Sequence, residues 1–219
     1  MESFLITMLL TFKVALITTF ILLVIGIPLG YFLAFSKSKF TPILETIVSM
    51  PLVLPPSVLG FYLLVAFSPQ NAFGKFLLET FELKLVFSFY GLIVGSVIFS
   101  LPFMVNPIQA GFASLPKSLY EAAITLGKGH LSILFRVLLP NISKSLLVGI
   151  VVSFAHTIGE FGVVMMIGGN IEGVTRVASI AIYDEVEALN YSLAHQYAFT
   201  LFIVTFLILL LTFYLKKAK

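Results

Sequence analysis

Two ionisable residues, His156 and Glu160, interrupt an otherwise apolar run from Ser145 to Gly169 in this 219-residue chain. On a continuous helix their spacing of four puts both side chains on one face. As a general acid and base they would need a nucleophile beside them, and the Ser and Thr residues show no recognisable spacing to a base. As metal ligands they would need a third donor. No His-Glu-x-x-His or equivalent occurs and the chain has no Cys, so no metal site is expected. What remains is an ionisable pair at membrane depth, lining a path or a contact between subunits. Glu160 would repel an anion. That favours a structural or gating role, with the carboxyl hydrogen-bonded at a helix contact or near an outer mouth, over substrate binding.

A second cluster is conformational. Pro51, Pro55 and Pro56 lie in the stretch Ser49-Met-Pro-Leu-Val-Leu-Pro-Pro-Ser-Val-Leu-Gly60. Each removes a backbone donor and breaks the helical ladder, and broken backbone is tolerated at membrane depth where it faces protein or a watery cavity. Two readings stand, a path lining and a packing kink that touches no solute. Pro102 and Pro107 read the same way. Gly159, Gly162, Gly168 and Gly169 thin the segment that follows His156 and suit close packing or bending.

The elements that position these residues are set by composition. Apolar residues make up 59% of the chain and charged ones 11%, too little polar surface for a water-soluble domain of this length. A span needs roughly 20 largely apolar residues. The runs 14–35, 46–67, 86–109, 145–169 and 196–215 meet that need. The expected fold is therefore an all-α integral membrane protein of about five transmembrane helices, a single domain over 1–219 without an internal repeat. Glu2 stands where a signal peptide carries basic residues, so the first helix is expected to be retained.

Lys37, Lys39, Lys117, Lys128, Arg136, Lys144, Lys216, Lys217 and Lys219 fall on one side of these spans, and Lys13, Lys75, Lys84 and Arg176 on the other. The positive-inside rule then puts the amino terminus outside and the carboxyl terminus in the cytoplasm. Cations spread in this way are topological, which excludes nucleic acid as a partner and leaves membrane lipid. The second outer loop, from about Asn170 to His195, is acidic, and Arg176 is its one Lys or Arg. Arg176 pairs with Glu172 or a neighbour, helps to dock a partner, or is a solvated loop charge. An amphipathic helix is expected between Val177 and Ala188.

The segment from Gly111 to Pro140 reads as a cytoplasmic loop of two short helices. Ser118-x-x-Glu121 matches a capping box at the start of the first. Ala122, Ala123 and Leu126 would then form a small-residue face, Gly127 and Gly129 permit a turn, and Pro140 closes the second helix.

Glu121-Ala122-Ala123, Gly127 and Leu139-Pro140 together resemble the loop through which permease subunits of ABC importers engage their ATPase. The stretches Ser49 to Gly60, Phe154-Ala-His-Thr-Ile-Gly-Glu-Phe-Gly162 and Gly168-Gly-Asn-Ile-Glu-Gly-Val-Thr-Arg176 extend the resemblance to the molybdate, tungstate and sulfate importer permease family, over essentially the whole chain. The resemblance implies a type I ABC importer permease fold and a non-catalytic subunit that binds no cofactor. It implies a homodimer, an ABC ATPase dimer that uses ATP and Mg, and a periplasmic or lipid-anchored molybdate-binding protein. Molybdate is the implied substrate, with tungstate and sulfate as alternatives. A secondary transporter would need coupling-ion groups in the membrane, and the first three runs hold no charge and the chain no repeated halves. With no cation in the spans to grip an anion, selectivity is expected to reside mostly in the binding protein.

Overall fold

The computed structural model describes residues 2–217; Lys219, which the topology argument used, lies outside the described residues. The first helix, α1 (Glu2–Phe35), has 34 residues and is about 51 Å long, well beyond the ~30 Å hydrocarbon layer. It begins before the expected residue 14 because Lys13 does not end it: the ammonium rests over the Phe89 ring, 4.9 Å from its centroid. The amino-terminal turns of α1 bury Met8 with Ala178, Ala181 and Tyr197.

The run 46–67 does not form one straight span. It divides into α2 (Thr41–Ser49) with a 3-10 turn (Met50–Leu52), and α3 (Pro56–Phe67), bent by 109° at the break. The cause is local. Pro51, Pro55 and Pro56 offer no N–H, and Val53 and Leu54 both donate to the Met50 carbonyl instead of continuing a ladder. Pro55 is extended, as a residue before proline prefers, and Pro56 occupies the first position of α3, where a missing N–H costs nothing. At 12 residues α3 is about 18 Å long, too short to cross alone. A short helix, α4 (Ala72–Phe81), follows it.

The central helix is α5 (Phe89–Ala113), 25 residues without a break although Pro102 and Pro107 lie inside it. The ladder-breaking reading therefore fails for these two prolines. It packs most closely on α1, and two glycines of α1 make this possible. A Cβ on Gly26 would lie 2.7 Å from Met104 Cγ, and one on Gly30 2.7 Å from Ile108 Cγ2. Leu22, Met104, Ile108 and Phe112 fill the resulting core.

The loop after α5 holds α6 (Lys117–Thr125), α7 (His130–Ile133), a π turn (Leu134–Leu138) and α8 (Leu139–Asn141). The fourth run also divides, into α9 (Ser143–Gly159) and α10 (Gly162–Gly168). The expected outer helix is α11 (Ala178–Glu187), and α12 (Tyr191–Lys217) completes the chain. Three described helices, α1, α5 and α12, are each long and apolar enough to cross a membrane. Two bent helix pairs, α2 to α3 and α7–α8 to α9, raise the number to five if each counts as one crossing.

Candidate functional site

The two interrupted segments meet. Gly162, which opens α10, sits so close to Pro56 that an added Cβ would approach the proline Cβ to 2.6 Å, and a Cβ on Gly60 would lie 2.8 Å from Met166 Cβ. Glycine backbone thus packs directly on side-chain carbons of the facing helix, beside the places where both helical ladders are broken. Beside this contact runs a groove of about 660 Å³ lined by Pro56, Ser57, Phe99, His156, Gly159 and Glu160. The structure brings Pro56, His156 and Glu160 together as the sequence spacing could not. Pro51 and Pro55 do not line the groove; Pro51 is buried in the 3-10 turn.

His156 and Glu160 do not share a helical face. Gly159 is the last residue of α9, and Glu160 turns out of the helix with φ −67° and ψ 131°. The His156 ring stacks on Phe103 at 3.9 Å between centroids and leans on Phe99 at 4.9 Å. Its Nδ1 lies 3.0 Å from Ser100 Oγ, which is 3.1 Å from Thr157 Oγ1, and Thr157 donates to the Ser153 carbonyl at 2.8 Å. The imidazole is therefore held on its faces by aromatic rings and on one edge by a short chain of hydroxyls.

Glu160 is 4% exposed, and neither carboxyl oxygen has a hydrogen-bond partner among the described residues. Ser96 Oγ is the hydroxyl placed to donate to the carboxyl, short of full hydrogen-bond geometry. The Glu160 carbonyl, by contrast, accepts from Ser179 Oγ and ties the break to α11. The Glu160 backbone is anchored to α11, and its side chain faces Ser96 of α5 at a helix contact. A carboxyl buried with so little hydrogen bonding is costly.

The loop after α5 takes the expected two-helix form, with different details. Pro116 is the residue before α6, leaving Ser118 and Glu121 inside the helix, and no side chain caps the amino end. The capping box is not formed. Ala123 is 6% exposed and packs with Phe112, Ile133, Leu138 and Ile142, whereas Ala122 is exposed and Leu126 is 76% exposed, so the three do not share one face. Gly127 does make the turn: φ is +71°, and the Gly127 and Lys128 amides close the helix onto the Ile124 and Ala123 carbonyls at 2.8 and 3.2 Å. Gly129 precedes α7 with φ −72°, which any residue adopts. Pro140 lies in α8 directly after the π turn, whose wider ladder accommodates the missing donor, and the helix ends one residue later. Ile124, Leu126, Leu131 and Phe135 are exposed on this unit.

Arg176 is not a solvated charge and does not pair with Glu172. Its guanidinium lies 2.8 Å from Asp184 and 2.9 Å from Glu185, whose other oxygen accepts from Asn190. Glu172 takes the hydroxyl of Ser3. Sequence reasoning missed Ser100, Thr157 and Phe103 around His156. Ser96 and Ser100, four apart in a charge-free run, were the available signal, since small hydroxyl residues in a span act as contacts between helices.

Comparison with known proteins places this arrangement. The family described as the inner membrane component of binding-protein-dependent transport systems matches residues 26–218. The molybdenum transport system permease protein of Azotobacter vinelandii is 40% identical over 210 residues, covering 96% of this chain and 93% of that protein. A putative molybdenum transport system permease protein of Bacillus subtilis is 30% identical over 96% of this chain and 91% of its own length. Among solved structures, a bacterial alginate ABC transporter in complex with an alginate-bound periplasmic protein has a subunit that superposes with a TM-score of 0.75. It covers 97% of this chain and 77% of that subunit at 21% identity, which is a likeness of fold.

Proposed function

This chain belongs to the family of inner membrane components of binding-protein-dependent transport systems, and on that premise we propose that it is the permease subunit through which an ATP-driven importer moves molybdate. The single observation that carries the choice of solute is the 40% identity to a molybdenum permease over nearly the full length of both chains. Two identical subunits would enclose the path, an ABC ATPase dimer would dock on the cytoplasmic side, and a binding protein would deliver the anion from outside.

The geometry supports a division of labour. The unit from α6 to α8 leaves the membrane region as a hinged pair of helices with apolar residues exposed, a shape suited to a groove on an ATPase. Ser118, Glu121, Ala122, Gly127 and Gly129 lie on it, and Ala123 roots it in the core beneath α5. A pull on α6 would therefore reach Phe112 and α5 directly. The groove beside Pro56, His156 and Glu160 is the proposed path or gate. There α3 and α10 meet at non-helical breaks that can rearrange without melting a helix.

No Lys or Arg lines that groove. An oxyanion passing it would meet the hydroxyl of Ser57, the imidazole, backbone dipoles and the opposing Glu160 carboxyl, which suits weak, transient contact. Strong selection among molybdate, tungstate and sulfate then falls to the binding protein. Competition of tungstate and sulfate against molybdate uptake in vesicles holding the permease, its ATPase and its binding protein tests this. The expected ranking follows the affinities of the binding protein alone. A tight molybdate site on the isolated permease, with a different ranking, would refute the weak-passage reading.

A further inference from the structure

A second cavity, of about 660 Å³, lies between the carboxyl end of α1 and the first turn of α6. Its charged lining is Lys37, Lys117 and Glu121; Tyr31, Ser36 and Tyr120 also line it, the Tyr120 hydroxyl already paired with His130 Nδ1 at 2.8 Å and the Tyr31 hydroxyl with Tyr120. Neither lysine has a carboxylate within ion-pair distance among the described residues, although Glu121 shares the cavity. The amino end of α6 carries no side-chain cap, so its first amides keep their partial positive charge beside Lys117. The Ser36 hydroxyl accepts from the Ser38 amide and from Thr41 Oγ1, which leaves its own proton to donate. Two terms oppose an anion, the Glu121 carboxylate and the carbonyl end of α1. Two ammonium groups, the α6 amides and a free hydroxyl donor outweigh them.

The opposite wall is apolar. Ala34 and Phe35 line it, and Phe32 and Phe35 are exposed along α1, a helix long and apolar enough to cross the membrane. A cationic, donor-rich pocket open to the apolar flank of a membrane helix is built for a phosphate-type group at the membrane surface.

We propose that this cavity is an oxyanion site in which Lys37 and Lys117 hold a tetrahedral phosphate-type group, presented by an anionic phospholipid headgroup or as a free oxyanion. Such a group bridges the end of α1 to α6. On the permease reading above, it would bias the position of the loop that meets the ATPase.

The test uses the full chain without partners. In one arm it is held in phosphatidylcholine nanodiscs containing phosphatidylglycerol, and co-retained lipid is measured by native mass spectrometry after release. In the other, equilibrium dialysis of labelled phosphate and of labelled molybdate is run in phosphatidylcholine alone. The lipid arm alone responding assigns a headgroup, and the dialysis arm alone a free oxyanion. In the responding arm, Lys37→Gln with Lys117→Gln lowers retention by about a hundredfold, two charge-assisted contacts at about tenfold each, and the Lys→Arg pair retains it. If the glutamine pair misfolds, wild-type retention must still weaken as ionic strength rises. Binding in neither arm, or binding indifferent to both lysines and salt, overturns the site. None of these readouts requires transport, so they stand or fall separately from the permease assignment.

Discussion

Gly162 packs its backbone against the Pro56 ring, at a separation where an added Cβ on the glycine would lie 2.6 Å from the proline Cβ. This contact joins the amino ends of α10 and α3, the places where two membrane segments abandon helical geometry. Its closeness explains why a glycine stands at the first position of α10.

Gly162→Ala should therefore push α3 from α10. Overpacking of this kind costs about 1–3 kcal/mol. The expected outcome is a lower midpoint in thermal unfolding of the detergent-solubilised chain, with Gly159→Ala, where an added Cβ meets nothing within 4 Å, close to wild type. Equal stability of the two variants would mean that the contact is loose in solution.

The two glycines of the loop should behave differently. Gly127 has φ +71° and Gly129 −72°. An Ala at Gly127 is strained by about 1–2 kcal/mol, whereas Gly129→Ala is conformationally compatible. In ATP-dependent uptake by the assembled importer, Gly127→Ala is expected to reduce the rate several-fold and Gly129→Ala to leave it near wild type. Parallel losses would show that the loop needs glycine for a reason other than backbone conformation.

His156 is gripped by packing more than by hydrogen bonding. His156→Ala removes a ring stacked at 3.9 Å on Phe103 and should destabilise by about 2–4 kcal/mol. His156→Phe keeps the stack and leaves Ser100 with Thr157, for a loss of about 1 kcal/mol. Thermal unfolding of both variants separates the contributions, and equal losses would show that the hydroxyl contact dominates.

Arg176 clamps the turn before α11. Replacing it with Gln leaves Asp184 and Glu185 facing each other without a cation. With Arg176 and Glu185 each 15% exposed, the coupling is above that of a surface pair, about 1–2 kcal/mol. A double-mutant cycle with Glu185→Gln measures it, and additive effects would mean that the pair contributes no coupling.

Much of the fold was legible because lipid makes simple demands. Long charge-free runs gave α5 and α12 to within a few residues, and the acidic segment before α12 gave α11. The failures have separate causes. Lys13 was read as the edge of the first span, but a cation that lies over an aromatic ring need not end a helix. The Pro51–Pro56 segment was read as a kinked span because apolar content cannot distinguish a kink from a corner of 109°.

The pairing of His156 with Glu160 assumed a helical period that Gly159 ends, so the groove joining them to Pro56 appears only after folding. The capping box failed by position: Ser118 is the second residue of a helix that begins at Lys117, directly after Pro116. The Gly26-x-x-x-Gly30 spacing that seats α1 on α5 was present in the sequence, and it serves the most extensive helix contact of the fold.

The most direct test is ATP-dependent molybdate uptake into vesicles that contain this chain with its genomic-neighbour ATPase and binding protein, for wild type and for Gly127→Pro. The account predicts uptake that needs all three components and ATP. It also predicts that the proline, whose ring cannot adopt φ +71°, abolishes uptake while the folded permease persists by size-exclusion chromatography. Uptake by the permease alone without ATP, or full uptake by Gly127→Pro, would contradict it and return the chain to the class of secondary transporters.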